Sequence, residues 1–421
     1  MEGARAEGRR QVTGAASIPQ KQTVPTHSKS ERALLVGVEI KTRRRKWTME
    51  DSLDELGELA RSAGATVVGA ITQSLDRPSN TYIGAGKLEE LAELIKRKDI
   101  DTVICDDELD PTQQRNIEKV VAKLRPDSGR EVKVIDRTAL ILDVFARRAQ
   151  THEGRLQVDL AQHDYLLPRL AGQWSHLERL GGGIGTRGPG ETQIESDRRL
   201  IRGRILKIKK DLEAVRRHRA LYINRRKEAR IPVASLVGYT NAGKSTLMNS
   251  LTRSTVLAKD QLFSTLDPVT RKLRLPSGRE ILLTDTVGFI QKLPTSIVAA
   301  FRATLEEIQD SAVIVHVVDI THPNADAQSD EVDRILREIA VIDKPRVLAL
   351  NKADKMSGGT DPGAAARDGP GSKEEGQPPA VLISALKGFG LDLLLQEIES
   401  AVQQAETLGA SHSSGELAAA T

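Results

Sequence analysis

Hydrophobic and polar residues alternate in two ways between Ala33 and about residue 150. The apolar runs ALLVGVEI, TVVGAITQ, DTVICDD and EVKVID have the composition of strands, whereas MEDSLDELGELARSAG and KLEELAELIKRK have the spacing of amphipathic helices. Alternation of strand and helix is typical of a parallel sheet covered by helices. The pattern therefore predicts an N-terminal α/β domain at residues 33–150.

A heptad pattern replaces this alternation in the next segment. Mostly apolar positions advance in steps of 4 and 3 from Leu156 to Leu177, and again from Ile201 to Tyr222, with His163 and Arg219 as local breaks. Such a repeat is typical of two helices that pack along each other. We predict an antiparallel helical hairpin at residues 151–231, with a glycine-rich tip and a kink or break at Pro168.

Strand and helix patterns return after residue 231 and predict a second α/β domain at residues 232–400. Within it, residues 355–380 are rich in Gly, Pro and Ala and are interpreted as a flexible insert. Residues 1–32 and 401–421 are interpreted as a disordered arm and a disordered tail. The predicted fold class is α/β, with two such domains joined by the hairpin.

The second domain opens with a phosphate-binding loop, or P-loop. An apolar strand precedes the sequence GYTNAGKST, and a helix pattern follows it. In this context the backbone N–H groups converge on phosphates, Lys244 faces the β and γ phosphates, and Ser245 ligates Mg²⁺. The predicted phosphate-contacting residues are Gly238, Tyr239, Thr240, Asn241, Ala242, Gly243, Lys244, Ser245 and Thr246.

Three further motifs, DTVG, NKAD and SALK, follow at strand ends or in the loops after them, and a backbone N–H of SALK can meet the guanine O6. Asp285 in DTVG is placed to hold a Mg²⁺-bound water, and Gly288 to donate its N–H to a γ-phosphate. Asp354 in NKAD matches the two donors of guanine, which adenine lacks. Together these motifs predict a guanine-nucleotide site and disfavour an ATPase. Its predicted base-side residues are Asn351, Lys352, Asp354, Ser384, Ala385 and Leu386.

The loop DQLFSTLDPVT lies between the P-loop and DTVG and is predicted to be a switch ordered by GTP. Thr265 is the predicted Mg²⁺ ligand within it, and Thr270 is the alternative. With Lys244 and Gly288, Thr265 completes the predicted catalytic set. Phe289 stands where many relatives of this class place a water-orienting Gln, so slow unaided turnover is expected.

Positive charge is concentrated in the hairpin, where residues 141–230 hold 20 Lys and Arg against 11 Asp and Glu. Solvated helix faces explain many such charge runs, but the excess on one projecting element favours contact with nucleic acid. The glycine run LGGGIGTRGPGETQ spells a dinucleotide fingerprint, yet no apolar strand precedes it. It is interpreted either as a flexible tip or as an RNA contact through Gly183, Gly185 and Arg187.

The single cysteine, Cys105, and the absence of a long apolar run or a secretory leader predict a cytoplasmic protein. We expect a monomer. Weak association with a membrane surface stays an alternative.

The motifs RPSNTYIGAGKLEEL, GGGIGTRGPGETQIESDRR and DQLFSTLDP, together with LTDTVGFI, give residues 33–400 a resemblance to the HflX family of ribosome-associated GTPases. The resemblance implies an N-terminal α/β domain, a helical linker and a GTPase domain. It also implies binding to ribosomal RNA of the large ribosomal subunit and the splitting or rescue of stalled ribosomes. By resemblance to potassium-stimulated GTPases, Asn241 is a candidate partner for K⁺, beside GTP or GDP and Mg²⁺.

A rival interpretation belongs to a different class of function. A regulatory GTPase would use the hairpin to dock on a protein or a membrane surface. Association with the large subunit separates these two hypotheses.

Overall fold

The computed structural model of the chain describes residues 30–42, 47–122, 132–170, 189–228, 231–252, 262–294, 297, 307–356 and 378–419. Four parallel strands form the first sheet, in the order β2-β1-β3-β4. They are β1 (Arg32–Ile40), β2 (Thr66–Leu75), β3 (Thr102–Cys105) and β4 (Lys133–Asp136). The helices between and after them are α1 (Met49–Ser62), α2 (Ala85–Lys98), α3 (Pro111–Ala122) and α4 (Arg137–Arg148).

The predicted parallel α/β arrangement of this region is confirmed, and its local signals are visible. Strand β1 is almost continuously apolar because it lies inside the sheet, with Leu34, Leu35 and Val36 buried. Helix α1 begins with a capping box, in which the Thr48 hydroxyl accepts from the N–H of Asp51 and the Asp51 carboxylate accepts from the N–H of Thr48.

Two helices, α5 (His152–Leu166) and α6 (Pro189–Glu228), follow the first sheet and pack against each other. Their contact is a cluster of Leu160 with Ile205, Ile208 and Leu212, all at heptad positions. Helix α5 ends two residues before Pro168, which is consistent with the missing N–H of proline. Residues 171–188, which include Gly183, Gly185 and Arg187, lie outside the described residues.

The second sheet has six strands in the order β10-β9-β8-β5-β7-β6. They are β5 (Val233–Gly238), β6 (Val269–Arg274), β7 (Glu280–Asp285), β8 (Val313–Asp319), β9 (Arg346–Asn351) and β10 (Ala380–Leu382). Only β6 runs antiparallel to its neighbour among these pairings. The helices of this region are α7 (Lys244–Thr252), α8 (Ala325–Glu338) and α9 (Leu391–Ala419).

The C-terminal segment differs from its prediction. Helix α9 continues to Ala419, so most of residues 401–421 is helical, whereas the composition predicted a disordered tail. Ala401 and Val402 are buried in the core of the six-stranded sheet. Alanine favours a helix as well as a tail, and the packing of Ala401 and Val402 anchors the start of this stretch as a continuation of α9.

No helix in the described part of the chain has the length and apolarity required to cross a bilayer.

Candidate nucleotide-binding site

The P-loop lies at the carboxyl end of β5 and leads directly into α7. Gly238 and Gly243 have φ of +151° and +97°, and a Cβ at either would approach Val317 O or Asn351 Nδ2 to 2.3 Å. No side chain fits at these two positions. Glycine therefore allows the loop to pack this closely around the N-terminus of α7. N–H groups at such a helix N-terminus favour the binding of an anion.

A pocket opens beside this loop and collects several of the predicted residues. Segments on three sides line it: the P-loop, the predicted switch loop and the DTVG motif. Its lining residues are Thr240, Asn241, Gly243, Lys244, Ser245, Thr246, Phe263, Ser264, Thr265, Thr286 and Gly288. The predicted catalytic set of Lys244, Thr265 and Gly288 is therefore brought together in one pocket.

Lys244 is buried at the bottom of the loop. Its ammonium donates to the carbonyl oxygens of Gly238 at 3.1 Å and Tyr239 at 2.8 Å. Burial lowers the pKa of Lys244 to about 8, although the carboxylate of Asp285 acts in the opposite direction. A phosphate that entered the pocket would favour the charged form of this lysine.

Ser245, Thr265 and Asp285 form a compact buried cluster. Asp285 Oδ2 lies 2.7 Å from Ser245 Oγ and 2.9 Å from Thr265 Oγ1, and the two hydroxyls lie 2.8 Å apart. Among the described residues, Asp285 Oδ1 has no hydrogen-bond partner, and burial raises the pKa of the carboxyl. Hard oxygen donors around an unsatisfied buried carboxylate fit the chemistry of Mg²⁺.

The two candidate threonines of the switch loop occupy different places. Thr265 is buried beside Asp285, whereas Thr270 lies on β6, where its hydroxyl is 3.0 Å from that of Thr284 in the paired strand. The structure therefore brings Thr265, rather than the alternative, into the pocket.

Gly288 approaches the P-loop too closely to carry a side chain. A Cβ there would lie 2.9 Å from Thr240 Cα and 3.0 Å from Lys244 Nζ. The next residue, Phe289, is bridged to the P-loop, since its carbonyl accepts from the N–H of Thr240 at 2.7 Å and its N–H donates to Gly238 O at 3.1 Å. Its ring is buried in an apolar cluster with Val237 and Ile314. Phe289 therefore offers the pocket no group that orients water.

The predicted base-side residues meet around Asn351. Its Nδ2 donates to Ala242 O at 2.8 Å, and its Oδ1 accepts from the N–H of Ala385 at 2.9 Å. Asn351 thus ties the P-loop to the loop after β10. Beside it, the Ser384 hydroxyl donates to Asp354 Oδ1 at 2.6 Å, which orients that carboxylate.

Two of the predicted base-side residues, Leu386 and Lys352, differ from the others in the surroundings of their side chains. Leu386 is 73% exposed, and the contact predicted for its segment is made by a backbone N–H rather than by a side chain. Lys352 adopts a left-handed backbone conformation, and its ammonium pairs with Asp319 Oδ2 at 2.6 Å.

The first domain also contacts this site, which was not predicted from the sequence. The side chain of Tyr239, predicted only as a P-loop residue, points to the first domain, where its ring stacks on Trp47 with centroids 5.9 Å apart. Its hydroxyl contacts Glu55. On the other side of the pocket, Phe263 packs edge-on against Phe145, with centroids 4.6 Å apart.

Charged residues extend this contact. Lys292, just beyond DTVGFIQ, pairs with Asp106 and lies 2.8 Å from Asp107 Oδ1. Asp267, just beyond Thr265, accepts from the N–H groups of Gln150 at 2.8 Å and Thr151 at 2.9 Å. One sequence signal was available, because Asp106 and Asp107 directly follow a strand that is apolar enough to be buried.

Three protein-family profiles match consecutive parts of the chain. They are described as GTP-binding GTPase N-terminal over residues 50–146, GTP-binding GTPase Middle Region over residues 148–226, and 50S ribosome-binding GTPase over residues 233–352. The three profiles follow the order of the first sheet, the helical segment and the P-loop region.

Relatives named GTPase HflX match most of the chain. The protein from Caldanaerobacter subterraneus subsp. tengcongensis is 48% identical over 351 residues, which are 83% of this chain and 77% of the relative. The protein from Alkalihalophilus pseudofirmus is 50% identical over 328 residues, 78% and 75% of the two chains. A solved structure of SsGBP in complex with GDP is 29% identical and covers 89% of this chain and 99% of its own, with a TM-score of 0.48.

Proposed function

The chain belongs to the HflX family of GTPases, and from that premise we propose that it acts on ribosomes by binding the large subunit and splitting or rescuing stalled particles. The observation that carries the nucleotide half of the proposal is the cluster of Ser245, Thr265 and Asp285 beside the P-loop. The ribosomal half rests on the family and on the basic helix α6.

The proposed nucleotide contacts follow from this geometry. The P-loop N–H groups and Lys244 hold the phosphates, and Gly288 donates its N–H to the γ-phosphate. Asp354, oriented by Ser384, accepts from the two guanine donors. One backbone N–H of the segment Ser384–Leu386 faces the guanine O6, and we assign that of Leu386, because the N–H groups of Ser384 and Ala385 donate to Phe389 O and Asn351 Oδ1. Because GDP lacks the γ-phosphate, only GTP engages both Thr265 and Gly288, which makes their loops the switch.

Mg²⁺ fits this arrangement through Ser245 and Thr265, with Asp285 holding a water of its shell. When bound, it neutralises charge on the β and γ phosphates. A K⁺ ion near Asn241 is an additional proposal, and comparison of turnover in potassium and sodium buffers tests it.

We expect the unaided hydrolysis of GTP to be slow, because the ring of Phe289 is buried in the core and cannot orient water. A ribosomal contact that reorders the pocket would supply that function. GTP then favours the ribosome-bound state, and GDP favours release.

Helix α6 presents the proposed RNA-binding surface. Its exposed basic residues are Arg199, Arg202, Arg204, Lys207, Lys209, Lys210, Arg216 and Arg217. Gly183, Gly185 and Arg187, at the proposed tip, are the further RNA contacts. Monomeric, cytoplasmic action is part of the same proposal.

Sedimentation with isolated ribosomal subunits tests this function. We expect the protein to co-sediment with the large subunit more strongly with a non-hydrolysable GTP analogue than with GDP. The double variant Lys209→Gln/Lys210→Gln should bind more weakly and show a shallower dependence on salt, because fewer phosphates are neutralised.

The matched control neutralises two exposed residues at the end of α2, as Lys96→Gln/Arg97→Gln, and should bind like the wild type. Absence from the large-subunit fraction in every nucleotide state would contradict the ribosomal proposal. Binding to a protein or to anionic vesicles instead would favour the regulatory alternative.

A further inference from the structure

Both loops that flank the predicted γ-phosphate position are anchored to the first domain and helix α5. The loop of Thr265 is anchored at Phe263, by Phe145, and at Asp267, by Gln150 and Thr151. An apolar cluster continues this contact, because Leu262, Phe263 and Leu266 share a core with residues of α1 and α4.

The segment after Gly288 is anchored by polar groups. The backbone N–H of Gln291 donates to the Tyr239 hydroxyl at 2.8 Å, and that hydroxyl contacts Glu55 of α1. The next residue, Lys292, has φ of +54° and extends its ammonium to Asp106 and Asp107. Lys292 is thus held directly by carboxylates of the first domain, and Gln291 is held indirectly, through the Tyr239 hydroxyl that contacts Glu55.

These carboxylates belong to one buried network. Arg137, which is fully buried, pairs with Glu55 and lies 2.8 Å from Asp106 Oδ1. Ser52 donates to Asp106 Oδ2 at 2.8 Å. Burial alone would raise the pKa of Asp106, but Arg137 and then Lys292 outweigh it and the pKa is lowered. Asp106 therefore carries a charge that needs its cationic partners.

The network lies at the carboxyl edge of the first sheet. Asp106 and Asp107 follow β3 at the carboxyl edge of an open parallel sheet, which is where such sheets receive ligands. In this chain Lys292, from the segment that begins at DTVG, reaches that edge and joins Arg137 at Asp106. The sheet thus binds part of the switch in the way other sheets bind a ligand.

We propose that Lys292 and the hydroxyl of Tyr239 are positioning residues for the GTPase, which use the first domain to hold the segment of Gly288 ready for the γ-phosphate. The inference rests on the proposed assignment of Gly288 to that phosphate. Only two residues lie between Gly288 and Gln291, and one of them, Phe289, is hydrogen-bonded to Thr240 of the P-loop. Fixing Gln291 and Lys292 therefore restricts where the Gly288 N–H can lie.

A consequence for nucleotide preference follows from this positioning. GTP benefits from a segment that is ordered before binding, since less conformational entropy is lost when the γ-phosphate arrives. GDP makes no contact with Gly288 and gains little. By reciprocity, GTP strengthens the docking of the first domain on the switch.

The test measures dissociation constants for a non-hydrolysable GTP analogue and for GDP in the full chain. In Lys292→Met and in Tyr239→Phe, we expect analogue binding to weaken about threefold to tenfold, the range for loss of one net hydrogen bond. GDP binding should change by less than about twofold. Lys292→Arg, which keeps the cation, should restore the wild-type ratio.

The matched control is Lys133→Gln, which breaks an exposed pair with Glu31 in the same domain, away from the switch. It should keep the wild-type ratio. Equal losses of affinity for both nucleotides in Lys292→Met would show a merely structural role and overturn the inference. No change in either dissociation constant, or tighter binding of the analogue, would overturn it too. If the wild type bound neither nucleotide, the site assignment would fail as well.

Discussion

At the scale of single residues, the pocket joins groups that are costly to bury. Lys244 and Asp285 are both buried. Burial lowers the pKa of Lys244 and raises that of Asp285, so it favours the neutral form of each. The ammonium of Lys244 donates hydrogen bonds to two carbonyl oxygens of the loop. A site of this kind is prepared for ligands that bring the opposite charges, namely phosphates for Lys244 and a cation for Asp285.

Proton uptake on nucleotide binding is the prediction at this scale. With a pKa of about 8, Lys244 of the free protein is about nine-tenths neutral at pH 9 and about one-tenth neutral at pH 7. A bound phosphate favours the ammonium, so GDP binding should take up close to one proton at pH 9, and the affinity should fall as the pH rises above 8.

Titration calorimetry in two buffers of different ionisation enthalpy measures this uptake. The apparent binding enthalpies should differ between the buffers at pH 9 and nearly coincide at pH 7. Equal enthalpies in the two buffers at pH 9 would show that Lys244 is already charged in the free protein.

At the scale of elements, the contact between α5 and α6 follows from the heptad pattern. Ile205, Ile208 and Leu212 are each less than 10% exposed and pack with Leu160, whereas Leu206, one residue after Ile205, is 69% exposed. The two faces of α6 therefore have different tasks. One face packs against α5, and the other presents basic side chains to solvent.

Paired truncations on α6 test this division. Leu212→Ala removes a buried side chain and should destabilise the protein by about 2–4 kcal/mol. Leu206→Ala removes an exposed leucine and should change the stability by less than about 0.5 kcal/mol. Thermal denaturation compares them, and a midpoint lowered equally in both variants would contradict the packing described for α6.

At the scale of the whole molecule, the first domain and α5 share an apolar core with the loops around the nucleotide pocket. Leu53, Phe145 and Val158 belong to the same cluster as Tyr239 and Phe263. Hydrogen bonds to Asp267 continue this contact at the start of α5. The loops around the pocket are thus packed directly against the first domain and α5.

Substitution of Gly154 in α5 probes this connection. An added Cβ would lie 2.2 Å from Asp267 Oδ1, so Gly154→Ala should displace that carboxylate and free the N–H groups it accepts from. We expect a lower thermal midpoint, although alanine favours a helix over glycine by about 1 kcal/mol.

Gly203→Ala in α6 is the matched control, because a Cβ there meets nothing within 4 Å. It should raise the midpoint or leave it unchanged. A stabilised Gly154→Ala protein would mean that the carboxylate of Asp267 is unimportant for holding α5 and the switch loop together.

The sequence by itself determined the local chemistry and the order of the parts. The P-loop, Asp285 and Asn351 could be predicted because strand–loop–helix context and strand ends fix where such residues lie. The heptad spacing likewise placed Leu160 and Leu212 on facing helix surfaces. These signals are periodic or close together along the chain, so each can be recognised without knowledge of the other elements.

Only the tertiary structure decided which distant groups meet. It selected Thr265 over Thr270, turned Tyr239 away from the pocket toward Glu55, and joined Lys292 to Asp106, 186 residues earlier. It also showed that α9 extends to Ala419, through residues that were predicted to be a disordered tail. The physical reason is that a buried charge or a weakly helical segment is stabilised by partners from other elements, and a pattern along the chain does not specify those partners.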